Sequence, residues 1–437
     1  MKKILSATCA MMLASAGMMA NAQQLPNVGF EDWKTACGET YGMDDNTEYR
    51  QRPGVEPKDW NGSSVNQTVL KKNKQEVLVF NVDGAVQLQN KFVGVDLGFL
   101  GKIGSTAPGY LTLGTPWVYA EMNVNNCDGG TFGGVENFTS KPDAIRGKFS
   151  RNNDNETDTA YVIAYLWKGT FKSKIGKKNS PSKQWENVER AILGKTTPDE
   201  GSNGQLVAYC EYKFNTTKPD WQTIEVPLTY VKVNGELVGD PDKMNVIISA
   251  GDYWNREKLL DGTTLLVDDV DFVYYSTLNS LTAGEEAVDL TAATFNEEGV
   301  ATFQMESKIF PTAESVKYTA KSQFATVDVE VLKEQDLVKV TVSNQGGKDA
   351  DGLTQHVYNL QYKVGTSGVE SVAGDGVKVY AAAGCVVVEG AEGVAQVYTA
   401  DGKQVAAEVV NGKAEIALAN GLYIVRVGNK VQKVVVK

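Results

Sequence analysis

The chain has 437 residues, with 43 Lys plus Arg against 54 Asp plus Glu, a formal net charge of −11, 42% apolar residues, five cysteines and a single histidine. That length suffices for two or three domains. The acidic balance, with no dense basic block, repels phosphate backbones and argues against nucleic-acid partners, and one histidine nearly excludes a Ser-His-Asp triad, a Cys-His pair or a multi-histidine zinc site.

The chain opens MKKILSATCAMMLASAGMMANA: Lys2 and Lys3, an apolar run of Ala, Leu and Met, then Ala20-Asn21-Ala22. A charged start, an apolar stretch too short to span a membrane and an A-x-A site predict a secretory signal over residues 1–22. The mature chain is expected to be exported, to the cell surface or the extracellular space, with the periplasm as the other location. Cys9 follows Thr8 early in the apolar run, which speaks against lipidation. Losing Lys2 and Lys3 takes the formal charge from −11 to −13. No later stretch approaches 18 consecutive apolar residues, so no integral membrane protein is expected. Of the cysteines that remain, Cys37, Cys127 and Cys210 lie in the first half and Cys385 near the end. That distribution predicts no disulfide framework and leaves a single bridge open.

Nearly every readable segment after the signal is strand-like. YVIAYLWKG, WQTIEVPLTY, MNVIISAG, VDVEVL, LVKVTVS, CVVVEG and LYIVRVG are β-branched or aromatic runs bounded by Gly, Asn, Asp or Pro. Only VERAILG, residues 188–194, reads as a short helix. The class is all-β, and many short strands between turns predict sandwiches. All seven tryptophans precede residue 276, which sets a first domain at 23–276. A second unit, 277–364, has the length and strand count of an immunoglobulin-like sandwich. His356 lies here and is expected at a solvated strand end. GTSGVESVAGDG opens the last unit, 365–437, as a small-residue linker; Asp-Gly in TADGKQV, Asn-Gly in VVNGKAEI and Gly-Asn in VGNKVQ then predict hairpin turns.

The end of the first domain poses a problem. In LLVDDVDFVYY, residues 265–275, strict alternation puts Leu266, Asp268, Val270, Phe272 and Tyr274 on one face. That face is apolar except for Asp268, and an unpaired buried charge costs on the order of several kcal/mol. The domain begins LPNVGFEDW, residues 25–33, and first and last strands often meet in sandwiches, which would bring Glu31 beside Asp268. A hard cation such as Ca²⁺ between the two carboxylates would relieve their repulsion. The plainer alternative is that Asp268 accepts backbone N–H bonds or pairs with Arg or Lys.

LPNVGFEDW, FGGVENFTSKPDAIRGKFS, DWQTIEVPLTY, NVIISAGDYW and LLVDDVDFVY, in that order, resemble the Bacteroidetes family of putative carbohydrate metabolism domains over most of residues 25–276. The resemblance implies a jelly-roll sandwich similar to galactose-binding-like carbohydrate-binding modules, in which a Glu of a GFE-type start and an Asp of a VDD-type end bind structural calcium; Glu31 and Asp268 stand at those positions. The closing segment, with VYTADGKQV, NGLYIVRV and a basic final strand, is similar to type IX secretion C-terminal sorting domains, although GVKVYAAAGC replaces the usual Pro-Asn-Pro opening. It implies the type IX secretion machinery or a surface anchor as a partner.

A sugar-binding surface needs flat aromatic faces against C–H groups and planar polar groups against hydroxyls. GDYWNRE, residues 251–257, offers Tyr253 and Trp254 beside Asp252, Asn255 and Arg256 and is the leading candidate for a glycan or polysaccharide. Trp117 with Tyr119 in PWVY, and Trp60 beside Asn61 in KDWNGSS, follow. Core packing is the alternative for each, and Tyr165, Trp167 and Trp221 read as structural. A glycoside hydrolase needs only two carboxylates about 5 to 10 Å apart. Glu136 in GGVENFTS and Asp252 are the candidates for that rival function, and a structural adhesin without a small ligand is the third reading. No phosphate loop or dinucleotide fingerprint is present.

Overall fold

The computed structural model describes residues 22–36, 52–69, 72–119, 128–152, 158–175, 183–214, 218–306, 309–362, 377–382, 384–428 and 430–436. The signal segment 1–21, Cys37, Cys127 and the whole 365–376 linker lie outside them, as does the side chain of Tyr119. Nearly all described elements are strands.

The leading unit is a sandwich of two antiparallel sheets. One runs Thr229–Tyr230, Gln205–Phe214, Ala160–Lys168, Lys243–Ser249, Tyr110–Thr112, Asn61–Gly62, with Val135–Glu136 attached to Lys243–Ser249. The other runs Lys218–Pro227, Ala144–Asn152, Thr264–Val273, Ala85–Gln89, Val79–Val82. Alternation explains the layers. Ala160, Val162, Ala164 and Leu166 point into the space between the sheets, where they meet Ile145, Phe149, Leu265 and Val267. The opposite set on the same strand, Tyr161, Ile163, Tyr165 and Trp167, packs into a second apolar cluster with Ala191 and Ile192 of the short helix Glu189–Ile192. Ala160–Lys168 is therefore covered on both faces, as its unbroken apolar run requires.

The Asp268 problem is solved by a β-bulge. Thr264–Val273 pairs with Ala144–Asn152 in one register up to Lys148↔Asp268 and in another from Arg146↔Asp271, with Asp269 left-handed at φ 48. The extra residue shifts the phase of the alternation. Leu265 and Val267 face the core before the bulge; Val270, Phe272 and Tyr274 face it afterwards. Strict alternation along 266–274 is thus corrected, and Asp268 is half-buried on the outer side. The two ends of the unit do lie together: Val270 N–H donates to Val28 O at 3.0 Å, and Tyr274 Oη donates to Gln23 O.

The second unit pairs Leu278–Ala283 with Val316–Ala320 and Glu286–Ala287, against a sheet of Val300–Met305, Gln355–Tyr362, Leu337–Ser343 and Thr326–Leu332. It is tied to the first by Asn344 Nδ2 donating to Tyr274 O at 2.7 Å and Arg146 Nη1 donating to Ala350 O at 2.8 Å. His356 is not solvated, contrary to expectation. It is fully enclosed at this junction, Nδ1 2.9 Å from Ser276 Oγ, whose one hydrogen goes to Asp349 Oδ2 at 2.7 Å. The last unit is a hairpin module, Lys378–Ala382, Cys385–Thr399, Gln404–Ala417, Gly421–Val427 and Lys430–Val436. Asp401-Gly402 makes a turn as expected, whereas Asn411-Gly412 lies inside Gln404–Ala417, opposite an irregularity at 389–392. Cys210 and Cys385 are free thiols.

Candidate functional site

At the meeting of the ends, Glu31 is exposed and lies close enough for its charge to act on Asp268. Burial foremost, with the neighbouring charges of Asp269 and Glu31, raises the Asp268 carboxyl above its ordinary range. Asp268 Oδ1 accepts the Asp269 N–H at 2.8 Å, and Lys148 Nζ pairs with Asp269 Oδ2 at 2.6 Å. Among the described residues, Glu31 and Asp268 do not belong to a group of three acid or imidazole ligands close enough to share an ion; Asp349, Asp351 and His356 do.

The 251–260 loop is organised from beneath by Asp158. This fully buried carboxylate accepts from Asn90 Nδ2 at 3.0 Å, Asp252 N at 3.1 Å, Leu260 N at 2.9 Å and Thr263 Oγ1 at 2.9 Å. Asp252, itself buried, turns the loop by accepting from the backbone of Trp254 and Asn255. Asn255 caps the short turn Arg256–Lys258 by accepting from Glu257 N. Asp252 and Asn255 therefore shape the loop, and Tyr253 belongs to the interior. Its ring packs edge-on against Tyr110 and Trp254, and its hydroxyl donates to Glu189 Oε1 at 3.3 Å. Trp254 is half-buried, with Nε1 donating to Glu211 Oε2 at 3.1 Å and Lys195 Nζ 4.9 Å from its ring centroid.

Tyr253, Arg256 and Trp117 do converge, around a charged cluster that the sequence reading missed. Asp128 accepts from Arg190 Nη1 at 2.7 Å and from Arg256 Nη2 at 2.6 Å, while Arg190 Nε lies 3.6 Å from Glu189 Oε1. The Arg190 guanidinium sits 5.8 Å from the Trp117 ring centroid. Gly130 makes this possible, since a Cβ there would come within 2.2 Å of Glu189 Oε1. Burial pushes the Glu189 carboxyl up to about 7. Burial also works to raise Asp128, but the hydrogen bond and charge of Arg190, joined by Arg256, outweigh it and hold that carboxyl below its ordinary range. Two neighbouring carboxyls are thus driven apart in acidity. The only sequence signal was an Asp followed by two glycines.

Two further candidates leave the list of ligand-facing groups. Trp60 is fully buried against Phe30, with Nε1 donating to Pro26 O at 2.9 Å, and is core. Glu136 is exposed at the edge of a short strand, 3.6 Å from Lys243 Nζ, an ammonium that also pairs with Asp242 Oδ1 at 2.9 Å, so Glu136 stands in a surface ion-pair group. Trp221 moves the other way. Expected from its sequence to be structural, it has 47% of its surface exposed. Ile224 and Val226 of Lys218–Pro227 pack on the core, so Trp221 and Thr223 project from the outer face of the five-stranded sheet, on which Lys148 lies opposite Thr223 and Asp268 opposite Lys148.

Fold and surface together define an all-β, multi-unit chain whose leading sandwich carries one exposed indole on a rigid polar sheet face. No protein-family model matches the chain, and no curated protein matches it. Among solved structures it is similar to a "putative glycoside hydrolase" from Bacteroides vulgatus, at 15% identity and TM-score 0.26, covering 43% of this chain and 72% of that one. A second of the same description, from Bacteroides thetaiotaomicron, shows 14% identity and TM-score 0.26 over 44% of this chain and 54% of that one. The CBM51-2 and INT domains of ZmpB from Clostridium perfringens show 9% identity and TM-score 0.14, over 86% and 79%. At these scores none of the three bears on what this chain does. No helix among the described residues is long and apolar enough to cross a membrane.

Proposed function

We propose that the chain is an exported, noncatalytic carbohydrate-binding protein of the Bacteroidetes family it resembles, its leading sandwich holding the glycan, its second unit serving as spacer and its last as a sorting or attachment module. The observation that supports this is Trp221, nearly half exposed on a sheet face where the neighbouring outward groups are Thr223, Lys148 and Asp268. An indole held on a rigid sheet offers a flat apolar surface at little entropic cost, and the polar row beside it supplies donors and acceptors for hydroxyls. A glycan array on the full chain, followed by calorimetry on the retained sugar, tests it. Trp221→Ala is expected to weaken that sugar about tenfold, the weight of ~1.4 kcal/mol. Unchanged affinity would remove the indole from the site, and retention of no glycan would favour a scaffold without a ligand.

The calcium of this reading belongs at Glu31 and Asp268, completed by backbone oxygens. Elemental analysis of purified protein is then expected to find one calcium per chain, lost in the Glu31→Gln, Asp268→Asn double variant; metal-free wild-type protein would end this assignment.

A hydrolase is the second reading, favoured by the opposed acidities of Asp128 and Glu189. Glu189 is, however, fully enclosed under Tyr253 and Gly130, out of reach of a glycosidic oxygen in this arrangement. Release of reducing ends from any polysaccharide the chain retains separates the two.

A further inference from the structure

We propose that a cleft at the open flank of the leading sandwich binds the carboxylate of an acidic sugar, a uronate or a sialate, with Arg151 as its anchor. The proposal rests on the glycan-binding reading and names the sugar class.

The cleft, of about 150 Å³, is lined by the end of Gln205–Phe214, the first part of Lys218–Pro227, and Phe149 and Arg151 of Ala144–Asn152. At ~30 Å³ per water it holds about five waters, room for one charged group and part of the ring that bears it. Phe149, Tyr212 and Phe214 supply its apolar wall, Phe214 standing 5.1 Å from each of the other two rings. Arg151 and Lys218 supply positive charge, while Lys213 lines the cleft from a strand position whose ammonium lies over Tyr161 on the other face.

Arg151 is the unusual member. Only 1% of it is exposed, and its Nη2 donates to the backbone oxygen of Asp158. Its Nε and Nη1 are buried with no hydrogen-bond partner among the described residues. A guanidinium taken out of water is strongly disfavoured unless its donors are met. Burial accordingly pulls the Arg151 pKa down, with Asp158 working against it. Nη2 keeps a second hydrogen beside the one given to Asp158 O, and with the unmet Nε or Nη1 next to it this completes one planar edge that matches the two oxygens of a carboxylate, a fit that a lysine does not give. Lys213 is shared with Glu211 at 3.9 Å and lies over the Tyr161 ring at 5.3 Å, so it makes no direct bond in the cleft. Lys218 is exposed at the mouth. Trp221 follows on the same strand but on its other face, since Gln222 and Ile224 line the cleft. A chain of sugars passing over this edge could therefore stack one ring on Trp221 and insert the carboxylate of another toward Arg151.

The test is calorimetry on the full chain with trigalacturonate, with N-acetylneuraminate, with neutral galactotriose and with sodium acetate. An acidic sugar is expected to bind at least tenfold more tightly than galactotriose. Arg151→Met, which keeps the buried stem, is expected to abolish that preference, and Lys218→Ala, at an exposed position, to lower it about threefold. Whichever of the two acids binds identifies the source of the carboxylate. Equal affinity for acidic and neutral sugars, or a preference unchanged in both variants, would overturn the proposal. Acetate binding that depends on Arg151, with no sugar bound at all, would reject the acidic-sugar assignment and the glycan reading together, whereas galactotriose binding lost in Trp221→Ala without any acid preference would reject the anion site alone.

Discussion

Replacing Asp158 by alanine is expected to lower the unfolding free energy of the leading sandwich by about 3 to 5 kcal/mol, the range for removing one partner of a buried charged network. Asp158 gathers donors from four separated places, Asn90, Asp252, Leu260 and Thr263, with no part of its surface in water. Without its oxygens these donors stay buried and unmet, and each such group costs about 1 to 3 kcal/mol before relaxation. The Arg151 guanidinium would also lose the nearby negative charge that opposes its desolvation. Asp158→Asn keeps one acceptor but turns an NH₂ toward donors, so it should fall between wild type and alanine. Denaturant unfolding followed by indole fluorescence reads this unit alone, because all seven tryptophans precede residue 276. A loss below ~1 kcal/mol for the alanine variant would mean that the loop does not depend on this carboxylate.

The second large effect is one of pH. Glu189 has its carboxyl raised by burial from 4.5 to about 7. Between those values the unfolded chain gives up the proton while the folded chain keeps it, so stability falls as pH rises through that window and levels off above it. A displacement of that size corresponds to about 3 kcal/mol. Asp143 and Asp271, both raised by burial to about 6, add slope of the same sign, so the informative quantity is the difference between wild type and Glu189→Gln. The two should be equally stable near pH 4, with the glutamine variant more stable by about 3 kcal/mol at pH 8. Asp128, held below its ordinary range, acts only in more acidic solution and leaves the comparison clean. Parallel curves for the two proteins would show that Glu189 ionises in the folded state as readily as in the unfolded one.

Trp221 shows how much of the surface was legible. In KPDWQTIEVP the core residues Ile224 and Val226 share a parity, which leaves Trp221 with Thr223 and Glu225 on the polar side. The strand itself said that this indole faced outward. By contrast, nothing local distinguished Trp254 at the surface from Tyr253 in the interior, one residue apart in a loop without period. Trp60 in its polar setting, KDWNGSS, gave no sign that Phe30 would close over it. His356 looked solvated because its neighbours in sequence are polar, while its neighbours in space, Ser276 and Asp349, come from other segments.

By itself the amino-acid order determined the all-β class, the short helix at Glu189–Ile192 and the two-faced central strand Ala160–Lys168, because these follow from side-chain period and propensity within a few residues. It also pointed to the meeting of the first domain's ends. Tertiary structure alone decided which side of Thr264–Val273 carries Asp268, because one extra residue at a left-handed Asp269 reverses the alternation and its position depends on the register with Ala144–Asn152. The cluster of Asp128, Glu189, Arg190 and Arg256, and the cleft lined by Arg151, likewise arise from segments far apart along the chain. Charges and cavities are set by distances in space, and no local pattern encodes those distances.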